Sequence, residues 1–322
     1  MGVSRNLTFI SDRQKRLLEA VPEVFPNSYH AFCLNHLRAN VKDKLAGLPA
    51  PFKDGLDKLF RKCAYAPTVT FFQQNVHKLR QFGGNRLHDF LDDLPPHNWA
   101  NAYFRGRRYG EMTSNAAESF NNWIMEARHL PIIGMVDRIR LQLTNQLSNR
   151  RADAEKWSGK ICPEMEARLK GLLEDGRTWD VVSANDNVFE VRAVTDTFYV
   201  HIVRRMCSCH QWQLNGFPCV HAAVALHETG KDVYAYIDAY FHIDSYKEAY
   251  KGSVFPVPSS ERRTFDSSRG QTIKPPITRK QPGRDKKRRE KSRGEKTKQF
   301  KCGRCKQLGN HNRKTCKVAI AD

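Results

Sequence analysis

Long hydrophobic runs are missing from this chain of 322 residues. No apolar stretch approaches the roughly 18 residues of a membrane-crossing helix, so no membrane partner is expected. No apolar segment follows a basic start, so no secretory leader is expected either. Acid is also in short supply: 34 Asp and Glu stand against 54 Lys and Arg, a formal net charge of +20. An excess of that size points to nucleic acid or another polyanion as partner. Without a leader, the reading is a soluble intracellular protein. The nine cysteines are then read in a reducing compartment, where metal ligation or core packing replaces a disulfide framework.

The imbalance is local. Residues 261–322 carry 21 Lys and Arg against 6 Asp and Glu, a net of +15, and the rest of the chain carries a net of +5. Residues 259–299 have almost no apolar side chains, which excludes a packed core and predicts a disordered linker. Upstream there is enough apolar sequence, 40% of the whole chain, for sizeable cores. Leu7 to Ser11 reads as a short buried strand, Arg13 to Val21 as a helix stopped near Pro22, and Ser28 to Phe32 as a second strand. A helix through about Leu45 follows. Residues 50–105 show helical spacing at Phe52, Leu56, Leu59, Phe60, Phe71, Phe72, Val76 and Leu79. Further helices are expected from Asn115 to Arg128 and from Pro131 to about Arg151. The period then changes to two in Val188–Val194 and Phe198–Val203, with Thr195-Asp196-Thr197 between, which predicts a hairpin. A short helix is expected from Ala222 to Thr229.

That hairpin runs into a compact ligand pattern, Cys-x-Cys-x9-Cys-x-His, at Cys207, Cys209, Cys219 and His221. Zinc takes four sulfur or nitrogen ligands in a tetrahedron. Cys-x-Cys at a strand end places two thiolates together, Gly216 and Pro218 allow the chain to return, and His221 opens a helix. Four protein ligands leave no open position, so the site is expected to be structural. Trp212 and Leu214 are expected to pack beside the metal. The plain alternative is three core cysteines and an unrelated histidine. A second pattern, Cys-x2-Cys-x5-His-x4-Cys, lies at Cys302, Cys305, His311 and Cys316. It resembles a zinc knuckle with one extra residue in the middle spacing, a module that contacts single-stranded nucleic acid or protein. Its alternative role is only to order the tail. Between the two patterns lies a basic cluster, Arg284, Lys286, Lys287, Arg288 and Arg289, which suits nuclear import and phosphate contact. A solvated charged linker is the alternative.

The order of these parts resembles Mutator-like (MuDR-type) transposases. Phe9-Ile10-Ser11-Asp12-Arg13-Gln14-Lys15 is similar to the segment with that family's second catalytic Asp. Cys33-Leu34-Asn35-His36 is similar to its Cys-x2-His element, and Thr113 to Asn121 to the segment with its catalytic Glu. Cys207 to His221 resembles the family's SWIM-type zinc finger, with Tyr240-Phe241, Tyr246 and Tyr250 as downstream companions. The resemblance implies an RNase H-like core in which three acids hold two divalent metals, Mg2+ in an active enzyme, with Asp12 second and Glu118 third. The first acid should lie upstream of Asp12, where eleven residues contain none. The expected fold is therefore an incomplete α/β RNase H-like region over 1–155 with an all-helical insertion at about 46–110. A small α+β SWIM zinc domain over 175–245, the basic linker over 259–299 and the knuckle over 300–318 complete it. Read without the resemblance, Asp12 can cap the helix after it, and Asn115-x-x-Glu118 fits a capping box.

Three functions compete at this point. The first is a nuclear, zinc-containing, transposase-derived protein that binds DNA without cutting it. The second is an active transposase, and the third is a module for self-association or a protein partner.

Overall fold

The computed structural model describes residues 7–256, 299–310 and 316. They fall in two compact units, the first reaching to Asp285 and the second beginning at Lys286.

The first unit opens with β1 (Thr8–Ser11), α1 (Lys15–Val24) and β2 (Tyr29–Phe32). The two strands pair in parallel, Phe9 opposite His30 and Ile10 opposite Ala31, so α1 is their crossover. This two-stranded pair is the whole N-terminal sheet among the described residues, and no five-stranded RNase H-like sheet is present among them. Helix α1 runs through Pro22 rather than stopping before it. Proline removes one N–H, but the Phe25 N–H still donates to the Val21 carbonyl and closes the last turn.

Helices α2 (Leu34–Lys44), α3 (Ala50–Ala64), α4 (Val69–Gly83), α5 (Asn85–Asp92) and α6 (Pro96–Trp99) follow. Leu37, Val41, Leu56, Phe60, Leu79 and Leu87 share one buried core with Trp99, whose ring stacks on Phe60 at 4.7 Å. Phe52 and Phe71, expected in the same stripes, are exposed. Each lies in the first turn of its helix, off the buried face. One charged pair sits inside this layer. The Arg38 guanidinium donates to both Asp57 carboxylate oxygens, at 2.8 and 2.5 Å, joining α2 to α3.

After a loop come α7 (Asn115–Trp123), shorter than expected and followed by a 3-10 turn at Ala127–His129, and α8 (Ile132–Glu155). Next are α9 (Pro163–Asp175) and β3 (Asp180–Asn185), neither foreseen. β4 (Val188–Arg192), β5 (Thr197–His201) and β6 (Met206–Cys207) complete an antiparallel meander in the order β3-β4-β5-β6. α10 (Gln211–Asn215), α11 (Val220–Glu228) and α12 (Ile243–Tyr250) close the unit. Phe189, Val191, Val200 and Ile202 point from the sheet onto Ala222, Ala223, Ala225 and Leu226 of α11, forming a second core. The architecture is thus a helix-rich region with a small α+β region near residues 180–230.

Residues 104–112 join the two cores. Phe104 packs with Ala31 of β2 and Leu214 of α10, and the Arg108 and Tyr109 N–H groups both donate to the Leu214 carbonyl. Arg108 is buried, lies over the Phe104 ring at 3.9 Å and donates to the Trp99 carbonyl and Asn101 Oδ1. Burial pulls its guanidinium down to about 9, still charged at neutral pH. Tyr109 stacks on Tyr240 at 4.2 Å. The Tyr246 ring packs at a tilt against Trp157, centroids 4.7 Å apart, and Tyr250 accepts from Arg150 of α8. The second unit contributes β7 (Phe300–Lys301) and β8 (Leu308–Gly309), paired antiparallel.

Replacing Asp57 by Ala should remove the two-pronged bond to buried Arg38 and destabilise the chain by about 3–5 kcal/mol. Urea denaturation reads this directly, and a loss under about 1 kcal/mol would show that the remaining contacts of Arg38, or water, satisfy its charge.

Candidate metal centre

Strand register aims the first ligand. Val200 is buried and faces the core, and Cys207 lies directly opposite it on β6, so the Cys207 side chain points to the same face. Gln213 fixes that position from both sides: its Oε1 accepts from the Cys207 N–H at 3.2 Å and its Nε2 donates to the Cys207 carbonyl at 3.0 Å. The chain then turns at His210, whose φ of 61° carries it into α10 after Cys209. Gly216 ends α10 at φ 64°, a left-handed position where a Cβ would also come within 3.0 Å of Asp238. This reversal returns Cys219, the N-cap of α11, and places His221 in the first turn.

The ligand atoms of Cys207, Cys209, Cys219 and His221 lie within 4.8 Å of one another. His221 Nδ1 is 3.5 Å from Cys207 Sγ and 3.7 Å from Cys219 Sγ. Zinc bonded at about 2.3 Å to sulfur and about 2.05 Å to nitrogen in a tetrahedron would set those separations at about 3.6 Å. The residues therefore fit a zinc ion held through Nδ1. Cys207 and Cys219 are buried and Cys209 is half-buried. The thiols oppose one another's ionisation. The contact with Cys209 pushes Cys207 up to about 12, and the contact with Cys207 pushes Cys219 well up. The contact with Cys207 pulls Cys209 strongly down. Thiolates this close repel one another. Three thiolates need a cation among them, which is the charge that zinc supplies.

Two aromatic rings hold the histidine. Phe198 stacks on the His221 ring at 3.6 Å and Trp179 at 5.2 Å. Phe198 is on the inward face of β5, two residues before Val200, and Trp179 immediately precedes β3. Sequence reasoning missed both, because only the folded sheet brings them to His221. It also misplaced Leu214. Trp212 packs in the core containing Cys207 and Cys219, but Leu214 turns the other way, onto Ala31 and Phe104. Two helical residues separated by two positions on a five-residue helix face different layers.

In the second unit, Cys302, Cys305 and Cys316 also have their ligand atoms within 4.8 Å. Cys302 and Cys316 are buried. The Cys302 N–H donates to the Gln307 carbonyl and the Lys306 N–H to the Cys302 carbonyl, each at 2.9 Å, closing the turn between the first two thiols. Burial acts to raise the Cys302 thiol, but the N–H groups of Cys305 and Arg304 pull it down to about 6. His311 and the basic residues Arg284, Lys286, Lys287, Arg288 and Arg289 lie outside the described residues. The two clusters are consistent with two structural zinc sites.

The acids take different positions from those a cap requires. Gln14, not Asp12, caps α1, accepting from the Leu17 N–H, while exposed Asp12 accepts from the Gln14 N–H at 3.2 Å. Ser114 precedes α7 at the cap position, so Asn115 and Glu118 are one residue out of capping-box register. Glu118 faces His36, with Oε1 4.0 Å from Nε2. Cys33 is buried and accepts from the Ser114 N–H at 3.3 Å, and Asn35 donates to Asn115 at 3.2 Å. The Cys33–His36 segment and the start of α7 are therefore neighbours. Cys63 is buried, which pushes its thiol up to about 12, and Cys162 is half-buried.

Residues 182–230 match the SWIM zinc finger family, and the match spans β4 to α11 with all four ligands. The chain therefore contains a SWIM-type zinc finger. No curated protein and no solved structure matches the chain.

Phe198→Ala removes the closer of the two rings that orient His221. Zinc affinity, read by competition with a chromophoric chelator, should fall by about 10–100-fold, and unchanged affinity would show that other contacts set the ring.

Proposed function

We propose that this is a nuclear, transposase-derived protein that binds DNA through a zinc-ordered scaffold and does not carry out strand transfer. The observation that carries this reading is the closed SWIM-type zinc site in a chain of net charge +20. Four protein ligands leave zinc no position for a water or substrate, so its role is to hold shape. The positive charge supplies attraction to phosphates, and its concentration beyond residue 260 supplies both a nuclear-import signal and backbone contacts at Arg284, Lys286, Lys287, Arg288 and Arg289. The second cysteine cluster, with His311 as fourth ligand, would present a knuckle to single-stranded nucleic acid.

The transposase ancestry rests on the order of parts. A parallel β-α-β crossover carries Asp12 just after its first strand, a helical insertion follows, and Glu118 lies on the next helix beside the Cys33–His36 segment. Binding is favoured over catalysis because, among the described residues, neither Asp12 nor Glu118 belongs to a group of three ligands placed to hold a metal ion. Glu118 instead faces an imidazole.

The test is DNA affinity of the full chain as a function of salt. Affinity should fall steeply, with a slope of about −0.9 per phosphate contact. Replacing Lys286, Lys287, Arg288 and Arg289 by Gln should flatten it. An affinity independent of salt would favour a protein-interaction module. Magnesium-dependent nicking that disappears in Asp12→Ala would favour an active enzyme.

A further inference from the structure

A cleft of about 240 Å³ opens beside the zinc finger, lined by Arg107, Val203, Arg204, Arg205, Trp212, Gln213 and Gly216. Three of its seven lining residues are arginines and none is acidic. They come from two parts of the chain: Arg107 from the segment joining the two cores, and Arg204 and Arg205 from the turn between β5 and β6. The turn is closed by the Arg205 N–H donating to the Ile202 carbonyl at 2.9 Å. Arg205 there has φ 51°, a conformation that favours glycine in a hairpin of this kind.

The three cations are not equivalent. Arg107 is ion-paired with Asp238. Arg205 donates to the Ala235 carbonyl at 2.9 Å and lies over the Tyr236 ring at 5.9 Å, so part of its hydrogen-bonding capacity holds the turn in place. Arg204 is exposed at the rim, and its backbone N–H, not its side chain, meets His201. Behind the arginines the wall residues are hydrogen-bonded to the backbone. Gln213 is clamped to the Cys207 backbone and the Trp212 indole N–H donates to the Tyr236 carbonyl at 3.4 Å. With Arg107 neutralised by Asp238, the cleft retains two positive charges on forked, planar donors. That geometry suits a tetrahedral oxyanion better than a lone ammonium would.

We propose that this cleft receives a backbone phosphate of DNA, with Arg204 as the principal contact and Arg205 as its anchored neighbour. The inference rests on the DNA-binding reading and adds to it a site on the folded zinc finger itself, apart from the basic tail. Because Gln213 ties the cleft wall to a zinc ligand, the site would be preformed only in the metal-loaded protein.

The experiment measures binding of the full zinc-loaded chain to a short DNA duplex across a salt series, for the parent, Arg204→Gln, Arg204→Lys and the Arg204→Gln, Arg205→Gln double variant. Zinc content is checked for each. The slope of log affinity against log salt should become shallower by about 0.9 in Arg204→Gln, be restored in Arg204→Lys, and become shallower again in the double variant. If the double variant loses zinc, the two single variants decide the matter. Arg204→Gln binding with parental affinity and slope would overturn the cleft while leaving DNA binding by the tail intact. No binding by the parent would overturn both. Weakened binding to poly-glutamate with unchanged binding to the duplex would also overturn the proposal, since the cleft would then serve an acidic peptide.

Discussion

The small domain of this protein depends on a charge conflict that zinc resolves. Cys207, Cys209 and Cys219 converge with His221, and the thiols resist ionising together, two of them pushed up while one is pulled down. Around the ligands one face of the four-stranded meander packs on α11, and Leu169, Trp212, Phe217, Val233 and Phe241 complete the core. Binding a divalent cation at four ligands fixes the end of β6, the turn through α10 and the start of α11 at once, so the free energy of metal binding is also folding free energy.

That constraint reaches beyond the finger. α10, the segment between the second and third ligands, presents Trp212 to the zinc-side core and Leu214 to β2 and Phe104. The Leu214 carbonyl accepts from Arg108 and Tyr109, and buried Arg108 in turn ties the loop to the Trp99 and Asn101 region of the helical layer. Two cores that look separable in the sequence thus share one loop. Metal loss would free α10 and remove part of the support of the N-terminal strands.

The ligand set was legible because its signal is short in range. Cys-x-Cys and Cys-x-His each place two donors within one turn of chain, and Gly216 marks the reversal between them. The hairpin from Val188 was legible for a similar reason, since Phe189, Val191, Val200 and Ile202 alternate with outward residues. β3 was missed because it is largely exposed and shows no such alternation. The rings of Phe198 and Trp179 reach His221 only through strand register and packing, which no local pattern encodes. The end of α1 was misjudged because proline's local cost was offset by the closing bond from Phe25 to Val21. Asp12 and Glu118 were readable as caps or as catalytic relics, and their geometry fits neither cap.

Zinc stoichiometry tests this account most directly. The full chain and a Cys219→Ser variant would be purified, checked for folded secondary structure by circular dichroism, and analysed for metal. About two zinc ions per parent chain and about one per variant chain are predicted. A folded parent without zinc, or a variant with the same zinc content as the parent, would contradict the account.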